Sequence, residues 1–124
     1  MISTVNQNPL HPAGPSVVAL GGGHGSAAVL QAARCYAAFI AGVISLGDDG
    51  GSSGRLRKEL GMPPPGDIRR CISALAADNS LLAESMEYRF TEGSLTGHPV
   101  GNLLLTSLTT VSYTHLTLPT TPYV

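Results

Sequence analysis

The sequence predicts an α/β protein, a parallel sheet with helices packed along it. Three observations carry that reading. Charged residues are 12% of the 124-residue chain and hydrophobic residues 43%; the charged share is about half the ~25% of an average globular domain. Low charge with abundant Ala, Leu and Gly points to elements buried on both faces. Second, residues 16–46 read as strand, glycine turn, helix and strand, which within ~30 residues makes a βαβ unit with a right-handed crossover. Third, the densest run of charge, glycine and hydroxyl groups, residues 46–70 (LGDDGGSSGRLRKELGMPPPGDIRR), lies between apolar segments. Ligand chemistry is commonly carried on such loops.

Residues 1–15 contain three prolines and read as a disordered lead-in. SVVAL at 16–20 is a short buried strand, broken by Gly21-Gly22-Gly23-His24-Gly25. Ser26 is the expected N-cap of a helix through about Tyr36. FIAGVISL at 39–46 is the second buried strand. After the 48–53 loop, residues 54–60 suit a short helix that Gly61 ends. Pro63-Pro64-Pro65 should be extended, since each proline disfavours helix in the residue before it. Asp67 is the expected cap of a helix to about Ala76, with Ile68, Cys71, Ile72 and Leu75 on one face. Residues 81–88 form another helix, with Leu82, Met86 and Phe90 spaced for burial. Residues 100–111, centred on Leu103-Leu104-Leu105, suggest a largely buried helix.

From Ser112 the tail SYTHLTLPTTPYV has no Asp, Glu, Lys or Arg. It reads either as an edge strand ending at Pro119 or as foreign sequence resembling translated adapter, and the second reading is preferred. The chain divides accordingly into 1–15, 16–111 and 112–124.

Several function classes are disfavoured. A net charge of −1 provides no basic field for nucleic acid and no polybasic membrane surface. No apolar run approaches the ~18 residues of a membrane span, and the N-terminus has no signal-peptide pattern. A cytoplasmic protein is expected. Cys35 and Cys71 lack metal or CxxC spacing and read as buried reduced thiols.

The chemistry concentrates in three loops. The first lacks the lysine of a GxxxxGK[ST] phosphate loop. It does meet the GxGxxA dinucleotide pattern at Gly23, Gly25 and Ala28, with Asp48 20 residues beyond. Glycines let the backbone approach a phosphate at a helix N-terminus, although a ligand-free tight turn needs the same residues. The second loop places Asp48 and Asp49 before Gly50, Gly51, Ser52, Ser53, Gly54 and Arg55. The carboxylates could hold Mg²⁺, which takes one or two carboxylates plus phosphate oxygens and water. The serines and amides could cradle phosphate, with Arg55 clamping it. Gly66-Asp67-Ile68-Arg69-Arg70 repeats the theme, because arginine in a first helical turn opposes the helix dipole and suits a bound anion. Asp67 is equally a plain cap. In the third loop, His98 suits phosphate, base or a structural hydrogen bond, and a buried Asn102 needs a backbone or ligand partner. Glu87, Arg89 and Glu92 read as surface charges. No Ser–His–Asp or Cys–His arrangement follows from spacing.

VVALGGGHG, SLGDDGGSSGRLR, PPPGDIRRCISAL, EYRF and TGHPVGNLLL, in that order, closely resemble the YvcK-like gluconeogenesis factors. These are relatives of the CofD 2-phospho-L-lactate transferases. The resemblance spans about residues 16–111 and implies a Rossmann-like fold, truncated here because family members are considerably longer. It implies that the first glycine loop (Gly22, Gly23, His24, Gly25) and the run Gly50, Gly51, Ser52, Ser53, Gly54 and Arg55 line a ligand cleft, and it matches His98, Asn102, Asp48, Asp49 and Asp67 to family motifs. Arg69 as a ligand contact and Asp48, Asp49 and Asp67 as metal candidates come from the residue chemistry above. His24 stands where Thr is common and Pro99 where Ser is common. The GGSSGRLR run favours the YvcK-like branch. That branch implies a UDP-sugar ligand such as UDP-N-acetylglucosamine and a role in cell shape and growth on gluconeogenic carbon sources. The transferase branch implies a nucleotide-linked phospholactate, a deazaflavin and Mg²⁺. No other cofactor is implied, and a homo-oligomer is compatible with the full-length protein. A third reading, an NAD(P)-linked dehydrogenase, fits only GxGxxA and has no evident hydride-transfer residue.

Overall fold

The computed structural model describes residues 2–7, 9–47 and 50–112. They form the α/β arrangement expected. Strand β2 (Ser16–Gly21) leads through helix α1 (Gly23–Ala33) to strand β3 (Phe39–Ile44). The two strands pair in parallel, with Ser16 opposite Phe39 and Gly21 opposite Ile44. Helices α2 (Gly51–Leu60), α3 (Gly66–Leu75), α4 (Leu81–Glu87) and α5 (Val100–Ser112) follow. The tail from 113 lies outside the described residues.

The lead-in differs from expectation. Ile2–Gln7 is a strand, β1, pairing antiparallel with β3 so that Ile2 faces Ile44 and Gln7 faces Phe39. The strand order is therefore β1-β3-β2. The prolines that suggested disorder begin only at Pro9, while Ile2, Thr4 and Val5 are β-branched residues that suit a pleated backbone.

The core lies on one face of the sheet. Ile40 and Ile44 of β3 and Ala19 of β2 pack with Leu30, Ala33, Ala37 and Cys71. Residues two apart on a strand share a face, so Ile40 and Ile44 point together at α1 and α3. On the opposite face the β2 side is open among the described residues, whereas Ala41 of β3, the partner of Val18, is buried. Val18 is 56% and Leu20 75% exposed, so β2 is not the fully buried strand its composition suggested. Helix α5 is likewise buried on one side only: Leu105 and Asn102 are inside, whereas Leu104, Leu108 and Val111 are exposed. Leu82 faces solvent, and of the α4 positions expected inside only Met86 is fully so. Cys71 is buried as expected, but Cys35 is exposed.

Helix starts shift toward the glycines. Helix α1 begins at Gly23 behind Gly22, so Ser26 is a buried fourth residue, not the cap. Helix α2 begins at Gly51, three residues early, and ends at Gly61 with φ 64° as expected of a left-handed C-cap. Helix α3 is preceded by Pro65 in helical conformation (φ −88°, ψ −9°), which places Asp67 inside the first turn. Pro65 is followed by Gly66 and escapes the restriction that a following proline imposes. Helix α4 is capped conventionally, with Ala83 N donating to Ser80 Oγ at 3.3 Å.

Candidate functional site

The glycine-serine run after β3 is the first turn of α2. Gly50 is its N-cap and no side chain caps it, so the opening turn offers backbone N–H groups and the positive dipole end. Gly51 adopts φ 38°, a left-handed conformation that glycine takes without strain. Ser52 and Ser53 are buried in this turn. Asp48 and Asp49 lie outside the described residues.

A hydrogen-bonded chain joins this turn to α3, α4 and α5. Arg69 of α3, 2% exposed, donates through Nε to Glu87 Oε1 at 3.1 Å and through Nη1 to Asn102 Oδ1 at 2.9 Å. Arginine can only donate. The Asn102 oxygen must therefore face Arg69, and its Nδ2 faces Ser52 Oγ at 3.0 Å and Ser53 Oγ at 3.4 Å. Ser53 Oγ also accepts from Gly66 N at 2.9 Å, tying α2 to the start of α3. Ser52 Oγ lies 2.5 Å from His98 Nδ1. Which of the two donates follows the imidazole tautomer, since the Ser52 hydroxyl keeps a second acceptor site beside the one Asn102 uses. Burial first, and Arg55 second, hold His98 below its ordinary pKa, so it is neutral near pH 7. Burial also lowers the Arg69 guanidinium, opposed by Glu87.

These groups border a polar cleft of about 190 Å³ lined by Gly50 to Ser53, Gly66, Asn102 and three arginines, Arg69, Arg70 and Arg89. Arg70 donates to Asp67 Oδ1 at 3.0 Å. It also borders a second, more open depression with His24, Gln31 and Glu87. The first glycine loop meets this assembly at Gly23, where a Cβ would fall 2.1 Å from Asp67 Oδ1 and 2.9 Å from its Cα. Only glycine permits that approach. Cys71 Sγ donates to Gly23 O at 3.8 Å, and burial raises its thiol pKa.

The structure thus brings together Gly50, Gly51, Ser52, Ser53, Arg69 and Asn102 at the cleft, with His98 directly behind Ser52. Gly54 is buried within α2. Arg55 turns to the third loop and donates to Thr96 O at 3.0 Å. Gly22, Gly23 and Gly25 do not line the cleft, and His24 lines the second depression. Among the described residues no three His, Cys, Asp or Glu side chains converge as a metal site. Asp67, the one described metal candidate, is engaged by Arg70, so the described residues do not by themselves fit Mg²⁺. Two supposed surface charges belong to the site. Arg89 lines the cleft and donates to Gly97 O at 2.7 Å. Glu87 holds Arg69 and accepts from Ser73 Oγ at 2.8 Å. Their place in the EYRF motif was the available signal.

Comparison with known proteins follows the same outline. The family model for 2-phospho-L-lactate transferase CofD matches residues 17–118. A gluconeogenesis factor of Halalkalibacterium halodurans is 44% identical over 98 residues, covering 78% of this chain and 30% of that protein. A candidate gluconeogenesis factor of Thermotoga maritima is 53% identical over 96 residues, covering 77% and 31%. A crystal structure of a Bacillus halodurans protein superposes with a TM-score of 0.70 at 39% identity, covering 80% of this chain and 32% of that one. The chain therefore spans less than a third of the length of each of these relatives. No helix among the described residues is long and apolar enough to cross a membrane.

Proposed function

The chain belongs to the CofD 2-phospho-L-lactate transferase family, and from that premise we propose that it binds a nucleotide-linked sugar through its diphosphate. The ligand is of the UDP-N-acetylglucosamine type, and the whole protein acts as a gluconeogenesis factor supporting cell shape and growth on gluconeogenic carbon sources. One observation carries the reading: Arg69, Arg70 and Arg89 converge with the uncapped start of α2 on a single polar cleft. The opening turn of a helix favours anions, and guanidinium groups match phosphate geometry. The three guanidinium groups and the helix N-terminus, partly offset by Asp67 and Glu87, leave a net positive site, and a diphosphate offers anionic oxygens to several of these donors at once. The gluconeogenesis-factor relative supports this branch.

The family description supports a second reading, a Mg²⁺-dependent transfer of a phosphate-linked group to a deazaflavin. Thermal denaturation separates the two. UDP-N-acetylglucosamine is expected to raise Tm without added metal, because a ligand binding only the folded state stabilises it. Arg89→Gln, at the exposed rim, should weaken the apparent affinity about tenfold or more, the cost of one charge-assisted hydrogen bond. Absence of a shift, with Mg²⁺-dependent transfer to a deazaflavin, would overturn the sugar-nucleotide reading.

A further inference from the structure

Ser52 differs from the other hydroxyl at the cleft. Ser53 Oγ is used as an acceptor, receiving Gly66 N at 2.9 Å and lying 3.4 Å from Asn102 Nδ2. Ser52 Oγ accepts from Asn102 Nδ2 at 3.0 Å and contacts a ring nitrogen of His98 at 2.5 Å. A nucleophile needs a base within hydrogen-bond reach, a third group holding the pair, and donors for the charge that develops. All three are present. His98 is the base, Asn102 locked by Arg69 is the positioning residue, and the α2 amides and three arginines are the donors.

We propose that Ser52 is a nucleophile activated by His98, and that it takes a phosphate-linked group from a phosphoanhydride bound in the arginine-lined cleft. The inference rests on the diphosphate reading of that cleft and adds covalent chemistry to it. Ser52 Oγ forms a bond to the phosphorus that carries the sugar. The bridging P–O bond breaks, and its electron pair leaves on the released nucleoside monophosphate. The hydroxyl proton passes to His98 Nδ1, and a Ser52 phosphodiester remains. Arg69, Arg70, Arg89 and the α2 amides stabilise the non-bridging oxygens as charge builds on them. His98 is neutral near pH 7, as a proton acceptor must be.

The test is covalent labelling of the chain itself, read by peptide mass mapping. UDP-N-acetylglucosamine is one donor, and acetyl phosphate, small enough for the cleft, is the second. With acetyl phosphate the same attack releases acetate and leaves phosphoserine. The expected result is an adduct on Ser52 in the unmodified chain. The rate should fall as pH drops through the folded-state pKa of His98, which lies below its ordinary value of about 6.5, and His98→Gln should slow it on the order of 100-fold or more. Ligand-induced stabilisation with no adduct on Ser52 from either donor would overturn the nucleophile while leaving the binding reading standing. Absence of both would overturn both. An adduct on a different residue, or labelling undiminished in His98→Gln, also rejects the assignment. The decisive map uses the unmodified chain and does not depend on any variant folding.

Discussion

At the scale of single residues, His98 shows how burial and charge select a protonation state. It is 3% exposed, and burial and Arg55 act together to keep its ring neutral. The unfolded chain takes up this proton near its ordinary pKa of about 6.5, and the folded chain only at lower pH. The unfolded state therefore binds more protons between those values, and stability falls as pH falls through that window. Above about 6.5 the contribution is complete. Chemical denaturation at stepped pH should show His98→Gln losing less stability than the unmodified chain between about pH 7 and 5; equal losses would refute this role. The contact that creates this environment was not legible locally. Ser52 and His98 are 46 positions apart, and no spacing rule relates them until α5 folds against α2. Arg69 and Asn102 were picked as polar groups needing partners, but their pairing with each other depends on the same packing. Glu87, at the end of α4, and Arg89, two residues beyond it, are exposed as a surface charge should be, but their engagement with Arg69 and the cleft shows only once α3 and α4 are packed together.

At the scale of elements, the glycines decided more than the caps did. A strand followed by glycines, a helix and a second strand was readable because periodicity changes sharply across residues 16–44. Helix boundaries moved because Gly22 and Gly50 start helices without side-chain caps, whereas the sequence rule looks for the nearest hydroxyl or carboxylate. Gly23 joins two of these elements. Its Cα rests against Asp67, where α1 and α3 cross. Gly23→Ala would drive a methyl group into the Asp67 carboxylate and backbone. Overpacking of this kind typically costs about 1–3 kcal/mol. The larger part of that cost should appear in urea melts as a lower midpoint with unchanged m. Gly25→Ala, where a Cβ meets nothing within 4 Å, should leave the midpoint near that of the unmodified chain. A similar loss in both variants would mean that helix propensity or loop entropy, not the contact with Asp67, is what Gly23 serves.

At the scale of the whole molecule, the described sheet leaves the β2 side of one face open. The sequence pattern did not reveal this, because the composition of β2 is that of a strand buried on both sides. Val18 and Leu20 project from the face opposite the core and are 56% and 75% exposed. Strand β2 is also an edge among the described residues, where it pairs with β3 alone. An apolar edge strand offers a row of unpaired backbone donors and acceptors to any second chain, and exposed apolar patches of this kind favour association. Helix α5 adds Leu104, Leu108 and Val111 to the exposed apolar surface. Relatives about two and a half times as long have polypeptide available to cover such surfaces, but within this chain the described elements leave them open. The 124-residue chain is therefore expected to self-associate at micromolar concentration, as measured by sedimentation velocity. Leu20→Lys places a charge on the open face and edge while sparing Ala19 and Val17, which point to the core side. It should shift the distribution toward monomer without lowering Tm. A monomeric unmodified chain with a sharp cooperative melt would show that the open face is tolerated. Association undiminished by Leu20→Lys would move the contact from β2 to α5.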